Sequence, residues 1–172
     1  MLDFILSEYK KDIEKFISKV KGNILVLDFD GTLCKFKYTA DDSERIQYCK
    51  QSDLDKAISL GLDFYKYAKP NKIVRYIVEQ VGKSNVYVLG YDANLKNRDI
   101  KKDWLRVNDF RIDAKNCYFT DTAEDKQIVL RWLQNANPNR KIYFVDDNAV
   151  NTSYMEEVVP GVICVHTSML MP

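Results

Sequence analysis

The sequence predicts an α/β fold: a doubly wound, mainly parallel five-stranded sheet in a single domain over residues 1–172, with a small helical insertion after the first strand at about 33–69. Three observations carry this. Five short apolar runs recur along the chain, and four of them stop abruptly at Asp, Gly or Thr, as buried parallel strands do at a sheet's carboxyl edge. Segments of helical periodicity lie between them, and alternation of strand and helix implies a parallel sheet. A chain of 172 residues buries roughly 70% of its unfolded surface, enough for one core.

The elements follow in order. Ile5, Tyr9, Ile13, Phe16, Ile17 and Val20 recur at three- and four-residue spacing and mark an amphipathic helix over 3–20, stopped by Lys21-Gly22-Asn23. The first strand, Ile24 to Leu27, runs into Asp28-Phe29-Asp30-Gly31-Thr32. The insertion begins with the polar stretch TADDSERIQ and continues with helical spacing in Leu54, Ala57, Ile58, Leu62 and Tyr65. It reads as a helical lid over the strand ends, or as a plain surface elaboration. Beyond Pro70, Ile73, Val74, Ile77 and Val78 define a helix over 71–81, and Val86–Leu89 form a strand ending at Gly90. Ile100, Trp104 and Leu105 place a helix over 97–107, followed by a strand from Cys117 to Phe119 that ends at Thr120. Ile128, Val129, Trp132 and Leu133 give a helix over 124–134. Strands Ile142–Val145, ending at Asp146-Asp147, and Val162–Val165 complete the set.

Composition removes several function classes. Lys and Arg number 26 against 25 Asp and Glu, a net charge of +1, so no surface-wide field draws in nucleic acid or anionic lipid. No apolar run approaches the eighteen or so residues of a membrane span, and the reading is a soluble, cytoplasmic protein. Cys34, Cys49, Cys117 and Cys164 are scattered without a CxxC pair and read as reduced thiols. The single histidine, His166, follows the apolar run VICV and reads as a core or strand-end residue. Zinc sites built on clustered Cys and His, and triads that need a catalytic His, are thereby disfavoured.

Carboxylates remain. Asp28 and Asp30 follow the first strand and Asp146 and Asp147 the fourth, where an open α/β sheet places its ligand if the two strands are neighbours. Any one of them alone reads as a cap or turn residue. Four converging carboxylates repel one another unless a cation sits among them, which implies a hard divalent ion, magnesium foremost. Asp28 and Asp30, at i and i+2 on an extended end, point to the same side. Gly31 permits a tight turn, and Thr32 is placed to cap the loop and orient Asp30.

These residues carry a resemblance. ILVLDFDGTLC resembles the first signature of the haloacid dehalogenase (HAD) superfamily, whose phosphatases begin with DxDGT after a buried strand, and IYFVDDNAVN resembles its last acidic signature. Lys126, opening DKQIVLRWL, matches the lysine of the third. The resemblance spans residues 24 to about 165, in order, and implies a Rossmann-like sheet and a magnesium-dependent phosphatase acting through an aspartyl-phosphate. It implies Asp28 as nucleophile, Asp30 as acid and base, and Lys126 as partner to Asp28 and the phosphoryl oxygens. Metal binding falls to Asp28, Asp30 (through its main-chain carbonyl), Asp146 and Asp147, and phosphate binding to Gly31, Thr32, Gly90 and Tyr91. One position departs: VYVLGYDAN has Gly90 where the family's second signature has Ser or Thr. The N–H of Tyr91, its side chain or Asn94 is then the substitute donor, and a hydroxyl restored at Gly90 raises activity unless it clashes.

The competing reading is a weakly active or inactive HAD-like module that binds a phosphorylated partner. A response-regulator receiver is rejected because its acidic pair follows the first strand, whereas the adjacent pair here follows the fourth. Gly82-Lys83-Ser84 is no phosphate loop, since it follows a helix, precedes a strand, and Ile77 stands where a glycine is required. The small insertion leaves the site open to a phosphorylated protein, a nucleotide end or another large substrate, or closed by a partner chain.

Overall fold

The computed structural model describes residues 2–35, 60, 64–66 and 68–170. Helix α1 (Leu2–Val20) leads into strand β1 (Ile24–Leu27), which is almost wholly buried. A two-residue strand β2 (Cys34–Lys35) pairs antiparallel with β3 (Lys69–Pro70), so the insertion leaves and rejoins the domain through one small ribbon. There follow α2 (Lys72–Val81), β4 (Val86–Tyr91), α3 (Leu95–Val107), β5 (Cys117–Thr120), α4 (Lys126–Ala136), β6 (Ile142–Asp146), α5 (Ala149–Val158) and β7 (Val162–His166).

Five of the strands form one sheet in the order β5-β4-β1-β6-β7, all parallel. The order reverses at β1, which pairs with β4 on one side and β6 on the other. Alternation along the buried strands divides the core between the two faces of the sheet. Leu25, Leu27, Val86 and Val88 pack with Ile13 and Val20 of α1, Ile77 and Val78 of α2, and Trp104 and Leu105 of α3. Ile24, Val26, Leu89, Ile142 and Phe144 pack on the other face with Leu130 and Leu133 of α4 and Met155 of α5. Each such aliphatic side chain contributes about 1.5–3 kcal/mol of burial, so the central strands are the most firmly anchored part of the fold.

The five strands and four of the five helices lie where the sequence puts them. The fifth helix, α5, is not legible from periodicity because only Thr152 and Met155 of its residues are buried, while Val150 is exposed. Its start is marked instead by Asn148, whose side-chain oxygen accepts from Val150 N at 2.9 Å. The ribbon of β2 and β3 is likewise absent from the sequence reading. The helical pattern from Leu54 to Leu62 lies outside the described residues, apart from Leu60. Within the described residues no helix is long and apolar enough to cross a membrane, and Cys34, Cys117 and Cys164 are free thiols.

Candidate active site

The reversal of strand order brings the ends of β1 and β6 side by side. Asp28 N–H donates to Val145 O at 2.8 Å, extending the pairing by one residue and fixing Asp28 beside Asp146. Asp28, Asp146 and Asp147 each offer a carboxylate oxygen to one point, these oxygens lying within 4.8 Å of one another. Asp28 and Asp146 are buried, Asp147 half-buried. Asp147 is packed against the loop after β1: a Cβ at Gly31 would fall 2.0 Å from its Oδ2, and Gly31 has φ +77°. Both the left-handed backbone and the missing side chain are therefore required there.

Lys126, the first residue of α4, is only 2% exposed and brings its ammonium to the cluster. Its Nζ donates to Asp28 Oδ1 at 2.6 Å and to Asp146 Oδ2 at 2.9 Å. Asp146 is held further by Asn148 N–H on Oδ1 at 2.8 Å and by the amide of Asn151 at 3.2 Å from Oδ2. One ammonium faces three carboxylates, leaving a formal excess of two negative charges. Burial, with repulsion from Asp146 and Asp30, pushes Asp28 up to about 7 despite Lys126. Burial and the charges of Asp28 and Asp146 push Asp147 up to about 8. Burial works against the Lys126 ammonium, but Asp28 and Asp146 outweigh it and raise its pKa. A hard divalent cation fits this donor set in charge and chemistry, because it lowers the cost of ionising all three carboxylates together.

Asp30 departs from the expected convergence. The chain turns after Asp28, and the Asp30 carboxylate is directed to the neighbouring side of the sheet, into contact with α3 and the returning end of the insertion. Lys101 Nζ of α3 donates to Asp30 Oδ2 at 2.7 Å, and Tyr65 Oη donates to Asp30 Oδ1 at 3.0 Å. Cys34 Sγ lies 3.8 Å from the same Oδ1. Lys101 also pairs with Asp92 Oδ2 at 2.9 Å and donates to Tyr91 O at 3.1 Å. The two aspartates of the DFD run thus each hold a separate buried lysine, and each lysine bridges to a second aspartate. Among the described residues, the acidic group that could hold a metal ion comprises Asp28, Asp146 and Asp147, with the Asp30 side chain outside it.

Thr32 is wholly buried, its carbonyl accepts from Asn71 Nδ2 at 3.0 Å, and its hydroxyl has no partner among the described residues. Orientation of Asp30 is therefore the work of Lys101 and Tyr65, not of Thr32. Gly90 sits in β4 opposite Phe119 of β5. A Cβ there would meet the Phe119 ring at 3.0 Å and Phe29 Cβ at 3.3 Å, so a side chain at 90 starts into the aromatic cluster. Tyr91 is half-buried and engages Lys101 through its carbonyl. Asn94 caps α3, its Oδ1 accepting from Lys96 N at 3.0 Å. His166 closes β7 at the strand end, Nε2 being 2.8 Å from Asp147 O and Nδ1 2.6 Å from Ser168 Oγ.

Sequence reasoning missed Lys101, Asp92 and Tyr65 as site residues. A signal for Lys101 was present: at i−3 and i−4 from Trp104 and Leu105 it shares the apolar face of α3, where an uncompensated ammonium is costly. No comparable signal marks Tyr65, which reads as one more apolar position of the insertion.

No protein-family model and no curated protein matches the sequence. Two solved structures do match by shape. One is a HAD family enzyme from Bacteroides thetaiotaomicron, solved as a magnesium complex: 12% identity, TM-score 0.46, covering 84% of this chain and 92% of that one. The other is the HAD domain of the effector protein Lem4 from Legionella pneumophila: 18% identity, TM-score 0.44, covering 84% and 85%.

Proposed function

We propose that this chain is a HAD-type, magnesium-dependent phosphohydrolase that cleaves phosphomonoesters through an aspartyl-phosphate on Asp28. The observation that carries the reading is the buried Asp28 carboxylate, held between Lys126 and the Asp146–Asp147 pair at the sheet's switch point. A carboxylate nucleophile needs its charge partly balanced against an incoming phosphate dianion, and it needs a fixed orientation. Lys126 supplies both.

Asp28, Asp146 and Asp147 are the residues that would hold magnesium, which when bound offsets the repulsion between carboxylates and phosphate. The chemistry then follows from the protein's own groups. The Asp28 oxygen forms a bond to phosphorus as the ester P–O bond breaks, and Asp30 in its acid form passes its proton to the leaving oxygen. Water next attacks the phosphoryl group, Asp30 takes the water's proton, and the bond from phosphorus to Asp28 breaks. Inorganic phosphate and the original carboxylate result.

The test is hydrolysis of a phosphomonoester panel spanning phosphopeptides, nucleotides and sugar phosphates, with magnesium and with EDTA, using Asp28→Asn as control. Magnesium-dependent turnover lost in Asp28→Asn supports the proposal. Inert protein that still binds phosphorylated ligands favours a phospho-binding module instead.

A further inference from the structure

Among the described residues, Lys101 is a fully buried lysine outside the acidic cluster. It is 0% exposed, in the middle of α3, with its ammonium 5.5, 5.7 and 5.6 Å from the ring centroids of Phe29, Tyr65 and Phe119. Its three protons have three acceptors: Asp30 Oδ2, Asp92 Oδ2 and Tyr91 O. None is left for a substrate, so Lys101 can act only through its partners. Asp92 is itself fixed, since Asn94 N–H donates to its Oδ1 at 2.9 Å. Arg98 Nε donates to Asp92 O at 2.7 Å and the same guanidinium pairs with Asp121.

Stability does not explain the lysine. A buried ion pair generally contributes no more than a well-packed apolar side chain of the same size, and a methionine would fill the space among three aromatic rings. What the ammonium provides and a methionine cannot is direction. With Lys101 on Oδ2 and Tyr65 on Oδ1, both oxygens of Asp30 are engaged, and a carboxylate 21% exposed at the strand ends is held in one rotamer.

We propose that Lys101, anchored by Asp92, is a positioning residue that holds the Asp30 carboxylate in line with the leaving-group oxygen of a phosphomonoester bound at Asp28. This rests on the reading of Asp30 as the acid and base of the reaction. Displacement of such a group by about 1 Å costs on the order of 10²-fold in rate. The demand falls on esters whose leaving oxygen needs a proton; a good leaving group departs without one.

The experiment is a double-mutant cycle of Lys101→Met and Asp30→Asn, assayed with magnesium on β-glycerophosphate, a poor leaving group, and p-nitrophenyl phosphate, a good one. Lys101→Met is expected to lower kcat/KM, which reports the steps up to departure of the leaving group, about 10- to 100-fold on β-glycerophosphate and less than about 3-fold on p-nitrophenyl phosphate. In the Asp30→Asn background it is expected to change neither by more than about 2-fold, because nothing remains to be positioned. If Lys101→Met does not fold, Asp92→Asn, which keeps the shape and removes one anchor, carries the same cycle with the same signature. Equal losses of kcat/KM on both substrates, or an undiminished loss in the Asp30→Asn background, overturn the positioning role and leave the phosphohydrolase reading standing. A wild-type protein inert toward both esters overturns that reading, and the inference with it.

Discussion

Lys126 and Asp28, 98 residues apart in the chain, meet at 2.6 Å in a site that solvent scarcely reaches. Long-range topology makes the contact: β1 delivers the carboxylate, and α4 starts its first turn beside it. Because that one ammonium is the only cation reaching the three clustered carboxylates among the described residues, removing it exposes their mutual repulsion. Lys126→Met is expected to destabilise the metal-free protein by about 3–5 kcal/mol near pH 8, where the carboxyls are most reluctant to stay protonated. Urea unfolding in EDTA measures this, and unchanged stability contradicts the pairing.

The same cluster gives a pH dependence with a definite sign. Asp28 and Asp147 are held at about 7 and about 8, above the unfolded carboxyl value near 3.9. The folded chain therefore binds these protons more tightly than the unfolded chain does. The stability they contribute is fully present below pH 4 and is lost as pH rises through about 7 to 8. Metal-free protein is expected to melt on the order of 5–10 °C lower at pH 8.5 than at pH 5.5. Saturating magnesium should flatten the profile. A melting temperature that rises across this window in EDTA contradicts the assignment.

Asp146 and Asp147 are expected to respond oppositely to substitution. Asp146 accepts from Lys126, Asn148 N–H and Asn151, so Asp146→Ala strips three partners and should destabilise the metal-free fold by about 1–3 kcal/mol. Asp147→Asn removes charge from a repelling cluster and should stabilise it at pH 8. Both should weaken magnesium binding in calorimetry. Matching stability changes in the two variants would refute the distinction.

In the proposed mechanism, turnover rests on the charge of Asp28. Asp28→Asn keeps the shape and removes the nucleophile, and is expected to cost more than tenfold in kcat/KM, above ~1.4 kcal/mol of barrier. Activity within a factor of ten of wild type, in protein folded by circular dichroism, removes Asp28 from that role.

Gly90 is packed closely by Phe119 and Phe29. Gly90→Ser is expected to push the Phe119 ring off its place beside Lys101 and to cost about 1–3 kcal/mol of stability. Of the two expected outcomes, a hydroxyl that raises activity or a side chain that clashes, this prediction takes the clash, because the side chain starts toward Phe29 and Phe119. Increased activity with unchanged melting temperature would reverse that conclusion.

The sheet was legible because each strand is a short apolar run, four of the five stopping abruptly at Asp, Gly or Thr. Asp28, Asp146 and Lys126 were legible as strand-end and helix-start residues. Asp30 shows where such reading ends. Alternation along an extended chain puts residues 28 and 30 on one side, but the turn at Phe29 breaks the alternation, and partners from α3 and from Tyr65 decide where the carboxylate goes. Those partners lie 71 and 35 residues away, and no local pattern encodes them.

The ribbon of β2 and β3 has a consequence for how this scaffold tolerates change. Cys34 stands opposite Pro70 and Lys35 opposite Lys69, so the segment between them begins and ends at one place on the domain. Closing a loop whose ends already meet costs only about 0.6 kcal/mol more for each doubling of its length. By that measure a shorter or longer connection between Lys35 and Tyr65 adds little closure cost while the ribbon stays its point of exit and return. Tyr65 sets the downstream limit of that connection, since its hydroxyl is one of the two groups that orient Asp30. Recombination at this junction would exchange the connecting sequence without rebuilding the strands, and Asp28 would keep its place beside Asp146.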